Sequence, residues 1–270
     1  MESQVVLITG SSRGIGRLTA LELSRRGHRV YATMRNPEPI ENVHVERLDV
    51  TDEKSIAEAV SNLIEKEGRL DCVINNAGYG LLSPVDTATD DEIMKQFDVN
   101  LFGVIRVIRE VLPQMRKQKS GKIINISSVV GVVSNPAMGW YSATKHALEA
   151  VSASLASTVF PWNIYVSVVQ PGSTATEFAA NLKLEEGGGN SPYGDFSKKH
   201  QERMKNILTD GQPPEEVAEL IADVVEDPKP HFRYQTSERA KQIVSQFVVD
   251  PSGDQWLNQQ KETFKGWINT

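Results

Sequence analysis

Short apolar runs alternate with longer amphipathic stretches along this chain. Val5–Thr9 is continuous and β-branched and reads as a strand, followed by a glycine-rich turn over Gly10–Gly16. The next amphipathic stretch runs to Arg26, where Gly27 closes the helix, and Arg29–Thr33 begins a second strand. Val43–Leu48 predicts a third strand. Asp52 is placed to cap a helix over Glu53–Lys66, with Ile56, Val60, Leu63 and Ile64 on one face. Leu70–Ile74 predicts a fourth strand and Phe97–Arg116 a long helix with Pro113 late in it. Lys122–Ile126 is a fifth strand, Ser142–Phe160 another helix, and Ile164–Val169 a sixth strand. The periodicity then weakens from Asn181 to about Lys199, which holds Gly187-Gly188-Gly189, Pro192 and Gly194. That segment reads as a mobile loop over the site, within a substrate-loop region spanning 181–212. A helix over Pro214–Val225, a short strand near Phe232 and a helix around Arg239–Phe247 follow.

This rhythm, with strands apolar along their whole length, implies an α/β fold: one doubly wound parallel sheet with helices on both faces. The 270 residues fit a single domain over 1–270, with 231–270 as its C-terminal extension. The charge balance of 29 basic against 35 acidic residues gives no basic face for nucleic acid. No apolar stretch is long enough to span a membrane. The N-terminal apolar run lacks a preceding basic region, so it reads as a strand rather than a signal peptide. Cys72 is the only cysteine, which excludes an intrachain disulfide and fits a cytoplasmic setting. His28, His44, His146, His200 and His231 form no metal-ligand spacing, so no metal site is expected. The basic stretch Arg116–Lys119 reads as a helix end, where cations suit the dipole.

Chemistry enters at the glycine turn. Thr9-Gly10-Ser11-Ser12-Arg13-Gly14-Ile15-Gly16 lies between the first strand and the first helix. Glycines there permit a tight turn and backbone approach to a pyrophosphate, and the helix N-terminus offers free N–H groups. This marks a Rossmann-like dinucleotide site. An NAD-type site keeps an acidic residue about 20 residues further on, for the ribose 2′-hydroxyl. Here the second strand ends Thr33-Met34-Arg35-Asn36. Arg35 and Arg13 are placed instead to pair with a 2′-phosphate, which favours NADP(H). Asp49-Val50 follows the third strand, either meeting an adenine edge or serving as a plain turn residue. Asn75-Asn76-Ala77-Gly78 follows the fourth strand, and its small residues would let the chain pass close to an adenosine ribose.

Tyr141 and Lys145 stand at i and i+4 where a helix opens. A neighbouring ammonium is expected to lower the phenol's pKa, letting it exchange a proton with an alkoxide. Ser127-Ser128 ends the fifth strand, where a hydroxyl can hold a carbonyl oxygen. Asn100 is an amide within an apolar helix, placed to hold a water near Lys145.

The glycine pattern, Asn75–Gly78, Asn100, Ser128, Tyr141 with Lys145, and Pro171-Gly172 resemble the short-chain dehydrogenase/reductase family in order and spacing across essentially the whole chain. The resemblance implies a catalytic tetrad of Asn100, Ser128, Tyr141 and Lys145, with Ser128 matching better than Ser127. It implies that Lys145 also binds the nicotinamide ribose, that Pro171, Gly172, Thr174 and Thr176 flank the nicotinamide, and that homodimers or homotetramers form through helices around 97–116 and 142–160. Val30–Arg35, Arg233-Tyr234-Gln235-Thr236 and Asp250-Pro251-Ser252-Gly253 are similar to the type 1 17β-hydroxysteroid dehydrogenase and retinol dehydrogenase branch. That branch implies a small apolar carbonyl or alcohol substrate, steroid- or retinoid-like. A β-ketoacyl-thioester reductase and a non-catalytic NADP(H) sensor stay open as alternatives. A sugar-nucleotide epimerase or dehydratase, which uses the same tyrosine and lysine, resembles longer chains with different glycine spacing.

Overall fold

The computed structural model describes residues 2–178, 183–184, 193–249 and 262. In chain order it contains β1 (Val5–Thr9), α1 (Gly14–Arg25), β2 (Arg29–Met34), β3 (His44–Arg47), α2 (Glu53–Glu67), β4 (Cys72–Asn75), β5 (Leu81–Leu82), α3 (Asp90–Phe97), α4 (Gly103–Gln118), β6 (Gly121–Ile126), α5 (Gly139–Val159), β7 (Ile164–Gln170), β8 (Lys183–Leu184), α6 (Gly194–Thr209), α7 (Pro214–Glu226), β9 (Arg233–Gln235) and α8 (Glu238–Val249). The main sheet has strand order β3-β2-β1-β4-β6-β7-β9, and every pairing in it is parallel. It is the doubly wound Rossmann-like sheet that the pattern predicts.

Side-chain alternation along the strands divides the core into two layers. Val5 and Leu7 of β1, with Val73 and Ile123, pack under Ile56, Val60, Val107, Val111 and Leu148 of α2, α4 and α5. Val6 and Ile8 face the other way, with Ile74 and Ile124, against Ala20 and Leu23 of α1 and Val217 and Ile221 of α7. Among the described residues no helix is long and apolar enough to cross a membrane.

Two elements differ from the sequence pattern. Phe97–Arg116 is not one helix. Thr89 caps α3 in a capping box with Glu92, and a five-residue π-helical turn, Asp98–Phe102, then joins α3 to α4. A π-turn is a costly irregularity that tends to occur at functional sites, and this one carries Asn100. The segment read as a loop as far as Lys199 is helical from Gly194, because Phe196, His200, Met204 and Leu208 form a buried stripe at i+4 spacing. Most of 181–192, including the triple glycine, and the Asp250–Gly253 motif lie outside the described residues.

A charged cluster pins α1 to α7. Arg26 binds Glu22 at 2.7 Å, Asp223 at 2.7 Å and Glu226 at 2.8 Å, and His28 contacts Glu226 at 3.1 Å. Hydrogen bonds from Arg25 and then Arg26 hold Glu22 down at about 2 against the opposing effect of burial. Because the folded value lies below the ordinary one, this stabilisation is complete above about pH 4.5 and is lost as pH falls through about 2. Arg26→Met is expected to cost about 2 kcal/mol, since it strands partly buried carboxylates. The loss should appear as a lower urea midpoint at pH 7 and a shallower acid dependence than wild type.

Candidate active site

Strand β1 is flanked by β2 on one side and β4 on the other, so the chain leaves their carboxyl ends in opposite directions. The crevice this opens is where open α/β sheets bind ligands. A cavity of about 580 Å³ occupies it, reaching from Arg13, Arg35 and Asp49 past Gly78 and Tyr141 to Phe178 and Met204.

The glycine turn is shaped first by its own protein neighbours. Gly10 has φ +70°, and a Cβ there would lie 2.7 Å from Ala77 Cα. A Cβ on Gly16 would lie 2.4 Å from Asn76 Nδ2. Asn76 Nδ2 donates to the Thr9 carbonyl at 3.0 Å and the Gly10 carbonyl at 2.9 Å. Thr9 Oγ1 accepts from the amides of Asn76 and Ala77, each at 3.1 Å. The turn after β1 and the tail of β4 therefore form one interlocked unit. Among the described residues, no side chain caps the start of α1 and no acid stands in its first turn, so its N–H groups and positive dipole remain available to an anion. Gly10, Ser12, Arg13, Gly14, Ile15, Asn76, Ala77 and Gly78 all line the cavity, whereas Gly16 is buried behind them. Backbone turn and helix N-terminus together form a cradle whose N–H groups suit an anion such as a pyrophosphate.

At the far end Arg13 and Arg35 are both exposed at the cavity edge, with Asp49 and Val50 between the ends of β2 and β3. Asp49 Oδ1 accepts from the Thr51 amide at 3.0 Å and the Thr51 hydroxyl at 2.8 Å, so the turn role is satisfied. Burial works against its charge, but the Thr51 bonds and the field of Arg35 and Arg47 outweigh that and hold it below the usual carboxylate range. Arg47 is a third cation at this end that the sequence pattern did not single out.

The chemical end lies where β6, the start of α5 and the segment after β7 converge. Tyr141 is 8 % exposed and Lys145 5 %. One helical turn brings Lys145 Nζ to 5.8 Å from the Tyr141 ring centroid, and the ammonium donates to the Ile126 carbonyl at 2.7 Å. Ser128 Oγ donates to the Pro171 carbonyl at 3.3 Å, accepts from the Val130 amide at 3.2 Å, and hydrogen-bonds the Tyr141 phenol. Ser127 lies on the cavity lining too, but its hydroxyl is buried against Gly131. Pro171, Gly172, Thr174 and Thr176 line the same wall. Thr174 is fixed by its hydroxyl bond to the Gly172 carbonyl at 3.2 Å and by a bridge to Gln212.

Two expectations need correction. The Tyr141 pKa is raised, because burial disfavours the phenolate and the Ser128 hydrogen bond only partly offsets this. The nearby ammonium does not lower it here, because Lys145 is itself pushed down to about 8 by burial and directs its proton at Ile126. Asn100 is fully buried but does not point its amide at Lys145. Its Oδ1 accepts from the Tyr79 amide at 3.1 Å, and Nδ2 donates to the Tyr79 carbonyl at 2.9 Å and to Thr144 Oγ1 at 3.3 Å. Asn100 thus clamps the strand exit at Tyr79 to α5. Gln96 assists from one helical turn earlier, donating to the same carbonyl at 2.6 Å and accepting from the Leu81 amide at 2.8 Å.

The remaining wall is apolar. Leu82, Val130, Met138, Phe196, Met204 and Leu208 form a buried cluster with Tyr141, and the Phe178 ring lies 5.7 Å from the tyrosine ring. Most of these residues come from α6, which falls in the 181–212 region expected over the site but as a helix rather than a loop, and from the loop around Met138, which sequence spacing had not connected to the site. The i+4 stripe on α6 was the available signal.

The sequence model of the short chain dehydrogenase family matches residues 4–187. A 3-ketodihydrosphingosine reductase from Bacteroides thetaiotaomicron is 41 % identical over 235 residues, covering 86 % of this chain and 87 % of that protein. The human 17-beta-hydroxysteroid dehydrogenase type 1 is 33 % identical over 279 residues, covering 95 % of this chain and 84 % of that one. A crystal structure of a short-chain dehydrogenase from Streptomyces avermitilis superposes with a TM-score of 0.83 at 28 % identity, covering 98 % of this chain and 99 % of that one.

Proposed function

The chain belongs to the short-chain dehydrogenase/reductase family of oxidoreductases, and from that premise we propose that it is an NADP(H)-dependent reductase of an apolar ketone. The observation that carries the reading is the shape of the one cavity that contains Tyr141. A cradle with cations at its rim forms one end, and an apolar wall from Phe178, Met204 and Leu208 forms the other. The phenol of Tyr141 stands between the two. A bound nicotinamide would supply the hydride. Ser128 Oγ and the Tyr141 phenol hold the substrate oxygen, and Tyr141 donates the proton as charge develops there. Lys145 presents its charge next to the phenol and is placed to hold the nicotinamide ribose. Asn100 keeps Tyr79 and α5 in register rather than touching the substrate. Pro171, Gly172, Thr174 and Thr176 shape the wall beside the nicotinamide.

For the substrate we favour a long-chain lipid ketone. The apolar wall suits an alkyl chain, and the 41 % identity to a 3-ketodihydrosphingosine reductase supports it. A steroid- or retinoid-like substrate is the second reading, supported by the hydroxysteroid dehydrogenase relative that spans 95 % of this chain. A panel of 3-keto sphingoid base, steroid, retinoid, quinone and β-keto thioester carbonyls, followed by NADPH oxidation, tests this. The highest kcat/KM should fall on the sphingoid ketone. Turnover confined to the thioester would overturn the substrate class, and no turnover with any member would favour the sensor alternative. A cytoplasmic homodimer or homotetramer completes the proposal, with the π-turn and α4 surface carrying Phe102, 42 % exposed, as a contact.

Arg35→Asp should move the cofactor preference from NADPH toward NADH. Replacing the cation that faces the 2′-phosphate with a carboxylate both repels the phosphate and accepts from a ribose hydroxyl. The NADPH/NADH ratio of kcat/KM is expected to fall by about a hundredfold, equivalent to about 2.7 kcal/mol. An unchanged ratio would remove Arg35 from cofactor selection.

A further inference from the structure

The Arg233-Tyr234-Gln235-Thr236 motif has no part in the chemistry described above, yet its odd-numbered side chains reach the catalytic helix. On β9, Arg233 and Gln235 point to the same side. Arg233 Nε donates to Glu149 Oε2 at 2.9 Å, and Gln235 Nε2 donates to Gln170 Oε1 at 2.5 Å. Gln170, fully buried on β7, in turn donates to Glu149 Oε1 at 2.8 Å. Both carboxylate oxygens of Glu149 are therefore held, and the residue is 5 % exposed. Gly131 packs against it so closely that a Cβ there would lie 3.1 Å from Glu149 Cγ.

Glu149 is one helical turn beyond Lys145 on α5, so the two share a helix face. A buried carboxylate paired with a half-exposed arginine is only partly offset by it toward a buried neighbour, because solvent screens the arginine more than the buried groups.

We propose that Glu149, fixed between Gln170 and Arg233, is a positioning residue that keeps Lys145 in its charged form. The inference rests on Lys145 being the lysine of the proposed reaction. The groups facing Lys145 leave Glu149 as the candidate. On its own helix Tyr141 and Glu149 are the titratable groups on its face, while His146 is exposed and its Nδ1 lies 2.9 Å from the Ser142 carbonyl. From β6 comes the Ile126 carbonyl, which accepts from Lys145, and after it Ser127 and Ser128; Asn100 of the π-turn bonds Thr144 and Gln170 of β7 bonds Glu149, and all of these groups are neutral. Arg233, from β9, acts on Glu149 rather than on the lysine. Burial alone drives Lys145 down, and the Glu149 field opposes it, leaving a value of about 8. That margin over neutral pH is narrow, so loss of the carboxylate would leave a smaller share of the lysine charged near neutrality.

The test is a direct titration of Lys145 in the full chain, without substrate. Protein labelled with lysine ¹³C at Cε is titrated by NMR, with the Lys145 signal assigned by its loss in Lys145→Arg. Glu149→Gln should move the Lys145 midpoint down by about one pH unit. Glu149→Asp, which keeps the charge, should restore most of the shift. Arg233→Gln removes the counter-charge and should move the midpoint upward. An unmoved midpoint in Glu149→Gln, or a shift in the same direction in Arg233→Gln, overturns the proposal. If the midpoints move as expected while every carbonyl fails to turn over, the reductase reading fails and the role of Glu149 stands.

Discussion

Tyr141→Phe is expected to lower kcat for carbonyl reduction by about a thousandfold, a loss of about 4 kcal/mol of transition-state stabilisation. The substitution deletes one buried hydroxyl and little else. The ring keeps its contact with Phe178 at 5.7 Å and its place beside Lys145. Ser128 retains its bonds to Pro171 and Val130, so the rest of the site has no reason to move. On the proposed mechanism, what is lost is the acid that neutralises the developing alkoxide, beside an apolar wall that offers no replacement proton donor. Burial raises the Tyr141 pKa, which keeps the phenol protonated at neutral pH and suits it to donation. The wild-type enzyme should accordingly reduce carbonyls efficiently near neutrality, and alcohol oxidation, which needs the phenolate, should gain as pH rises. NADPH affinity, read by fluorescence titration, should stay near wild type in the variant. A kcat close to wild type would remove Tyr141 from the proton transfer.

The parts of this fold that were legible in the sequence are those where one local signal sufficed. Val5–Thr9 and Lys122–Ile126 are apolar throughout because both faces of the sheet are covered, and they appear as strands within a residue or so of expectation. Asp52 caps α2 as its position implied, accepting from the amides of Lys54 and Ser55. The less legible parts depended on packing between distant segments. The apolar stretch Phe97–Arg116 has helical periodicity throughout, but periodicity does not register the π-turn from which Asn100 bonds both Tyr79 and Thr144. Glycine and proline content marked the region after Asn181 as a loop, and it masked the stripe of Phe196, His200, Met204 and Leu208 that makes α6 a wall of the site. The tyrosine–lysine spacing correctly placed both side chains on one face, but it carried no information about burial. Burial decides their proton affinities, and it reverses the expected direction for Tyr141.

The glycine turn is where the structure adds most to the sequence pattern, and it sets a second large effect. Gly10→Ala should destabilise the protein by about 3 kcal/mol and weaken NADPH binding by about a hundredfold. Two costs combine at this position. The backbone at φ +70° disfavours any side chain with a Cβ, at about 1–2 kcal/mol. The new methyl would also lie 2.7 Å from Ala77 Cα, an overlap that something must relieve. Ala77 cannot retreat freely, because its amide is bonded to Thr9 Oγ1 and its neighbour Asn76 is bonded to the Thr9 and Gly10 carbonyls. The strain must therefore pass into the turn itself and displace the N–H groups at the start of α1 from the anion they would hold. Gly27→Ala separates the two costs. Gly27 has φ +86°, but a Cβ there meets nothing within 4 Å, so it carries the conformational penalty alone. It should lower stability by about 1–2 kcal/mol and leave NADPH affinity unchanged. If both variants bind NADPH as wild type does, the interlock between the glycine turn and Ala77 has no role in shaping the cofactor cradle. If both lose it equally, the loss reflects global destabilisation rather than the close approach at Gly10.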